Sequence, residues 1–242
     1  MTKNIYHKRS TRGHANHGWL DSHHSFSFAG YYDPERVHFG ALRVLNDDIV
    51  SPGMGFGTHP HDNMEIVSIP LSGSLAHKDS TGRSEIIRTG EVQIMSAGSG
   101  ISHSEYNASR EDNVNFLQIW IFPKSENIEP RYEQKNFPKE DRLNKIQTIV
   151  SPDAKDAAIW INQDAWFSLT DLEKGKEIEY TFRKSGDGVY AFVIEGSVNI
   201  NGQALDKRDG LGITGSDKLS IVANSDAELL LIEVPMKLHS IK

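Results

Sequence analysis

Short apolar runs, cut repeatedly by glycine, leave this chain little choice but a β architecture. Residues 41–45, 65–71, 92–95, 116–122, 189–194, 198–200 and 229–234 are rich in Val, Ile, Leu and aromatic side chains. Each is long enough for a strand and too short for a helix that buries a face of its own. Asn201-Gly202, between 198–200 and 203–205, predicts a type I′ hairpin, because Asn and Gly both tolerate positive φ. Long amphipathic helical patterns are scarce, so the chain is expected to be all-β.

The layout predicts two such units in a chain of 242 residues, a length that can bury a sizeable core. Residues 123–158 carry Pro123, Pro130, Pro138 and Pro152 among charged residues. That composition suits a connecting segment, with a short helix near 152–158. Domains are therefore expected at residues 1–133 and 134–242. The halves share a loose pattern: an apolar strand ending at Gly73 or Gly196, then a second apolar strand led by Gly90 or Gly210. This predicts one barrel motif used twice. The histidines do not share the symmetry. Ten of the eleven lie at or before His103, so metal-binding groups are expected in the first unit only.

Composition narrows the chemistry. The absence of cysteine excludes disulfide frameworks, iron–sulfur clusters, thiolate zinc sites and cysteine nucleophiles. Any metal must be held by imidazole, carboxylate, backbone carbonyl or water. A net charge of −7 without a dense basic stripe argues against a direct hold on nucleic acid. The polar N-terminus, residues 1–9, has no apolar segment behind it, and the run 229–232 is far too short to span a bilayer. A cytoplasmic protein with no membrane association is expected.

Two short motifs carry the chemistry. His59-Pro60-His61 places two imidazoles at i and i+2, which on a strand share one face. His103-Ser104-Glu105 repeats the device with an imidazole and a carboxylate. On neighbouring strands the two pairs can converge on one point. Three neutral imidazoles and one carboxylate suit iron, manganese, cobalt, nickel, copper or zinc, with positions left open for water or substrate.

The surroundings resemble the two metal motifs of the cupin superfamily. The first match runs from Gly53 through His59, His61 and Glu65 to Gly73; the second runs from Gly90 through Ser96 and Gly98 to His103 and Asn107. Ser96 stands where proline is common, the gap from Glu65 to Gly73 is one residue longer than usual, and two extra residues separate Gly98 from His103. Longer blocks make the resemblance specific. Residues 12–20 (RGHANHGWL), 24–28 (HSFSF), 31–34 (YYDP), 42–48 (LRVLNDD), 55–61 (GFGTHPH), 64–66 (MEI), 95–98 (MSAG), 100–107 (GISHSEYN) and 130–133 (PRYE) resemble the pirin family, in its bacterial quercetinase-like branch.

That resemblance implies a bicupin, two β-barrels packed together, with one divalent metal in the N-terminal barrel. Fe(II) is the first expectation, and Mn, Co, Ni, Cu or Zn are alternatives. The family's ligands fall on His59, His61, His103 and Glu105. Glu65, the position that ligates in common cupins, would then be a supporting group or a substitute. The implied reaction opens the central ring of a quercetin-like flavonol with O2 and releases carbon monoxide, Glu105 serving as ligand and proton acceptor. A metal with three neutral histidines and one carboxylate keeps one positive charge, which a deprotonated flavonol would neutralise. A small flat phenolic substrate and O2 are the expected partners, and a monomer is the expected state. A non-enzymatic, redox-sensing binding protein is the alternative; an enzyme requires a cavity at the metal and a regulator does not. Phe56, Met64 and the aromatics within 26–32 are candidates for an apolar wall. His14, His17, His23 and His24 are expected to be hydrogen-bonded structural residues.

Overall fold

A computed structural model describes residues 2–238, and the chain is built of strands in four sheets. In the N-terminal half a seven-stranded sheet runs β12 (Arg131–Asn136), β9 (Glu91–Ser96), β6 (Glu65–Ser72), β11 (Val114–Ile121), β4 (Leu42–Val50), β3 (Leu20–His24), β2 (Gly13–Asn16). A four-stranded sheet faces it: β5 (Gly55–His61), β10 (Ile101–Asn107), β7 (Ser74–Asp79), β8 (Ser84–Arg88). The C-terminal half repeats the plan. Its large sheet runs β1 (Lys3–His7), β20 (Gly210–Thr214), β17 (Asp187–Glu195), β22 (Ala227–Pro235), β15 (Trp166–Leu172), β13 (Gln147–Ser151), β14 (Ile159–Trp160). Its small sheet runs β16 (Glu177–Thr181), β21 (Lys218–Ala223), β18 (Ser197–Ile200), β19 (Gln203–Asp206).

The two halves share sheet sizes and strand order, apart from the edge pair β13–β14, which is parallel where β2–β3 is antiparallel, and the glycines of the repeat mark corresponding corners. Gly73 follows β6 at φ 76° and Gly196 follows β17 at φ 77°, a conformation that favours glycine. Asn201 and Gly202 join β18 to β19 with φ 48° and 90°, the type I′ turn expected from their sequence. The seven apolar runs all form strands.

Two local expectations meet a different structure. No helix forms at 152–158; the helical turns among the described residues are short 3-10 turns at Arg9–Thr11 and Lys139–Asp141. Asp153 takes the Lys155 amide on its side chain and Ser151 bonds Asp156, so local polar contacts replace helical ones. A division between 133 and 134 falls inside β12, and β1 adds to the C-terminal sheet, with Lys3 opposite Thr214 and His7 opposite Gly210.

The largest core lies between the barrels. Leu45, Val67, Ile69, Ile94, Leu117 and Ile119 from one large sheet meet Phe167, Tyr190, Phe192, Leu230 and Ile232 from the other. The inside of the C-terminal barrel is one continuous apolar cluster, from Leu172 to Leu231. The inside of the N-terminal barrel is different: two small apolar clusters, around Phe116 and around Met95, are separated rather than joined. What separates them is a polar centre. No helix among the described residues is long and apolar enough to cross a membrane.

Candidate metal centre

Strands β5 and β10 run antiparallel, and their register sets His103 opposite His59 and Ile101 opposite His61. Strand alternation turns His59 and His61 to one face, and the pairing brings His103 to the same place. The ring centroids lie 4.8 Å (His59–His61), 4.5 Å (His59–His103) and 4.9 Å (His61–His103) apart. One nitrogen from each ring lies within 4.8 Å of the others. The Nδ1–H of His59 donates to the Gly57 carbonyl at 2.8 Å, which leaves Nε2 free to coordinate. His103 is buried, and both of its ring nitrogens lack a partner. A buried imidazole with two bare nitrogens is costly unless something binds it. Burial, with neighbouring imidazoles adding to it, lowers His61 to about 4 and His103 to about 3. Both are therefore neutral near pH 7, the form that binds metal. The donor set fits a divalent transition ion.

Between His103 and Glu105 the β5–β10 register shifts, so Glu105 stands opposite Phe56. Its carboxylate is buried, and it joins His103 and His77 in a second group whose ligand atoms lie within 4.8 Å of one another. Gln118 Nε2 donates to Oε2 at 2.7 Å and Ser68 Oγ to Oε1 at 3.1 Å. Burial raises its pKa, against the pull of His77 and these two donors. Glu105 is thus oriented from below and given an increased affinity for protons.

His77 was not indicated by the motifs. It lies on β7 directly opposite Glu105, hydrogen-bonds Asp79 at 2.9 Å, and packs on His103 and Tyr132 with centroids 5.4 and 4.8 Å apart. The signal available in the sequence was its i,i+2 spacing from Asp79; the neighbour that matters comes from another strand.

The other sequence candidates separate. Glu65 is buried at the foot of the domain interface, where Ser96 Oγ (2.8 Å) and the Asn162 amide (3.2 Å) both donate to its Oε2. It tethers β6 to the C-terminal half. His14 hydrogen-bonds Asp21 at 2.7 Å and stacks on His23, outside the barrel. His24 hydrogen-bonds Ser22 at 2.8 Å and, with His17, lines a cavity that opens on the histidine cluster. That cavity measures about 370 Å³. Phe28 and Phe56 line it as expected, but Phe26 lies in the inter-barrel core and Met64 packs against the Met95 cluster. Trp19 and Trp120 take their places; Trp120 meets His61 edge-on at 5.0 Å. Asp48, on the cavity wall, is pushed up to about 7 chiefly by burial.

Comparison with known proteins adds independent support. The family model described as Pirin matches residues 6–121, and that of the Quercetinase C-terminal cupin domain matches residues 148–234. Quercetin 2,3-dioxygenase of Escherichia coli (strain K12) is 47% identical over 232 residues, covering 94% of this chain and 97% of that protein. A pirin-like protein of Caulobacter vibrioides is 44% identical over 222 residues, 91% of this chain and 95% of that one. The crystal structure of the bacterial pirin YhhW from Escherichia coli in complex with nickel(II) matches with a TM-score of 0.91 at 45% identity, covering 96% of this chain and 99% of that chain. Sequence blocks, two-barrel fold and matched relatives agree: the chain belongs to the pirin family.

Proposed function

We propose that the protein is a metal-dependent dioxygenase that opens the central ring of quercetin-like flavonols with O2. Both oxygen atoms of O2 enter the ring-opened ester, and one ring carbon leaves as carbon monoxide. His59, His61, His103 and Glu105 would hold the ion, Fe(II) foremost, with Mn, Co, Ni, Cu or Zn as substitutes. When bound, the ion supplies Lewis acidity that lowers the pKa of the flavonol 3-hydroxyl. The single observation that carries the reading is the grouping of three imidazoles, beside a buried carboxylate, at a cavity of about 370 Å³. That volume is in the range that accepts a drug-sized ligand (roughly 300–1,000 Å³). A purely regulatory metal site does not call for such a cavity.

The residues divide the work. Gln118 and Ser68 fix both oxygens of Glu105 so that its remaining lone pairs are presented in one direction. Glu105 takes the 3-hydroxyl proton, a role that its raised pKa favours. Trp19, Phe28, Phe56 and Trp120 give the cavity flat apolar walls that exclude water from the reacting ring.

The test is reconstitution without oxygen using Fe(II), Mn(II), Co(II), Ni(II) or Cu(II), followed by quercetin and then air. Loss of flavonol absorbance with carbon monoxide release, proportional to one metal per chain, is the expected result. Stoichiometric metal binding with no turnover for any ion would refute the reading.

A further inference from the structure

The inner face of the N-terminal large sheet carries a polar row that the proposed chemistry at the metal does not use in full. Register places His24 opposite Asn46, Asn46 opposite Gln118, and Gln118 opposite Ser68. Gln118 and Ser68 serve Glu105. The row then continues away from the metal to Asn46 and His24, with Ser22 and Asp48 paired beside them, and all four line the cavity. The corresponding row in the C-terminal barrel runs through Ala191, Leu231, Ser168 and Thr148, with two short hydroxyls where the N-terminal barrel has Asn46 and His24. An amide and an imidazole at these positions are therefore no requirement of the fold.

The four side chains are nearly sealed from bulk solvent, with exposures of 2–3%. Their hydrogen bonding is incomplete, and it is incomplete in one sense. Ser22 has a single O–H, and it is given to Asp48 Oδ1 in a short hydrogen bond. Above pH 7, where Asp48 is ionised, the 2.8 Å contact between Ser22 Oγ and His24 Nε2 must therefore use the His24 proton. In a neutral ring that leaves His24 Nδ1 as an acceptor, and this atom is buried without a partner. Asn46 Oδ1 is likewise buried and unpartnered. The second oxygen of Asp48 receives no hydrogen bond from the described residues. Three acceptors belong to residues of the cavity wall, and no donor among the described residues answers them; buried acceptors are normally satisfied.

We propose that Asp48, Asn46 and His24 form a second recognition point in the cavity, which accepts hydrogen bonds from hydroxyls of a polyhydroxylated flat aromatic ligand whose opposite part reaches the histidine cluster. The inference rests on the flavonol reading and sharpens it: the site selects for hydroxyls beyond the one presented to the metal. Ser22 is a positioning residue, since it sets the His24 tautomer and holds one oxygen of Asp48. A ligand without those hydroxyls would bury three acceptors against hydrocarbon, which is where discrimination of this kind is largest.

The experiment compares quercetin with 3-hydroxyflavone, which keeps the 3-hydroxyl and lacks the others. Metal-loaded protein is titrated with each under anaerobic conditions, with the flavonol absorbance shift as the readout. Wild-type protein is expected to bind quercetin at least ten-fold more tightly. In Asp48→Leu the preference should fall below three-fold, through weaker quercetin binding, tighter 3-hydroxyflavone binding or both, with metal content unchanged. Asn46→Ala provides the same comparison should Asp48→Leu not fold. Equal affinities in the wild type, or a preference that survives both substitutions, would overturn the recognition point and leave the flavonol reading standing. Failure of both flavonols to bind would overturn the flavonol reading, and this proposal with it.

Discussion

Two buried carboxylates, four positions from a histidine of the cluster in one case and two in the other, show how environment rather than motif assigns a role. Glu105 has donors on both oxygens and an imidazole neighbour. Replacing it by Gln keeps the shape and removes the proton acceptor, so Glu105→Gln should fold and lose at least about 100-fold in turnover, general-base steps being worth ~10²–10⁴. Unchanged turnover would show that it is neither base nor essential ligand. Glu65 instead has both donors on one oxygen, which leaves the other to carry a proton. Burial raises it from 4.5 to about 7, against Ser96, the Asn162 amide and Arg131. The folded state therefore holds this proton more tightly than the unfolded chain does. Its contribution to stability is complete below about pH 4.5 and is lost as pH rises through 7. Relative to Glu65→Gln, which carries no such proton, wild-type stability should decline by on the order of 3 kcal/mol between pH 4.5 and 8. Denaturant titrations of both proteins across that range decide it, and a difference independent of pH counts against the raised pKa. The two i,i+2 pairs were legible in the sequence because such spacing on a strand is a local property. Ser68, Gln118 and His77 were not, since each reaches Glu105 from a different strand and only the register brings them there.

Strands end where the chain can turn, and the two corner glycines show what the duplicated barrel demands of them. Gly73 and Gly196 have nearly the same positive φ, but the space around them differs. A Cβ on Gly73 would lie 3.1 Å from the Asn113 carbonyl oxygen, whereas on Gly196 it would lie 2.0 Å from that of Asp226. Left-handed backbone alone costs a residue with a side chain about 1–2 kcal/mol, and that is the loss expected of Gly73→Ala. Gly196→Ala adds overpacking against backbone and should lose roughly 3 kcal/mol or more. Urea midpoints of the two variants measure the contrast; equal losses would mean that the Gly196 corner relaxes freely. Apolar runs and turn glycines made the strands and this repeat readable from the sequence. The helix expected at 152–158 does not form, because Ser151 Oγ and Asp153 Oδ1 accept the backbone amides of Asp153 and Lys155 locally. The pairing of β1 with β20 spans most of the chain, and residues 3–7 carry no apolar pattern that would announce it.

At the scale of the whole molecule, the C-terminal barrel supports the barrel that carries the histidine cluster. The largest cluster of buried apolar residues belongs to neither interior; it joins the two large sheets, and β1 crosses into the C-terminal one. Each fully buried Leu, Ile or Phe there is worth about 1.5–3 kcal/mol, so neither sheet can be bared without losing more stability than a domain has to spare. The N-terminal barrel could not supply this by itself, because its own interior is interrupted by polar residues that serve the site. The two halves should therefore unfold in one cooperative transition, and metal should stabilise both. Free metal at 100–1,000 times its dissociation constant adds about 2.7–4.1 kcal/mol to a protein that binds it only when folded. Stripping the metal with a chelator should lower the entire melting curve, including the signal from the C-terminal barrel, without splitting it. A fluorescence melt that keeps Trp166, on β15, as the sole tryptophan isolates that half. If its transition is indifferent to metal while the rest of the chain responds, the barrels are energetically separate and the supporting role assigned to the second one is wrong.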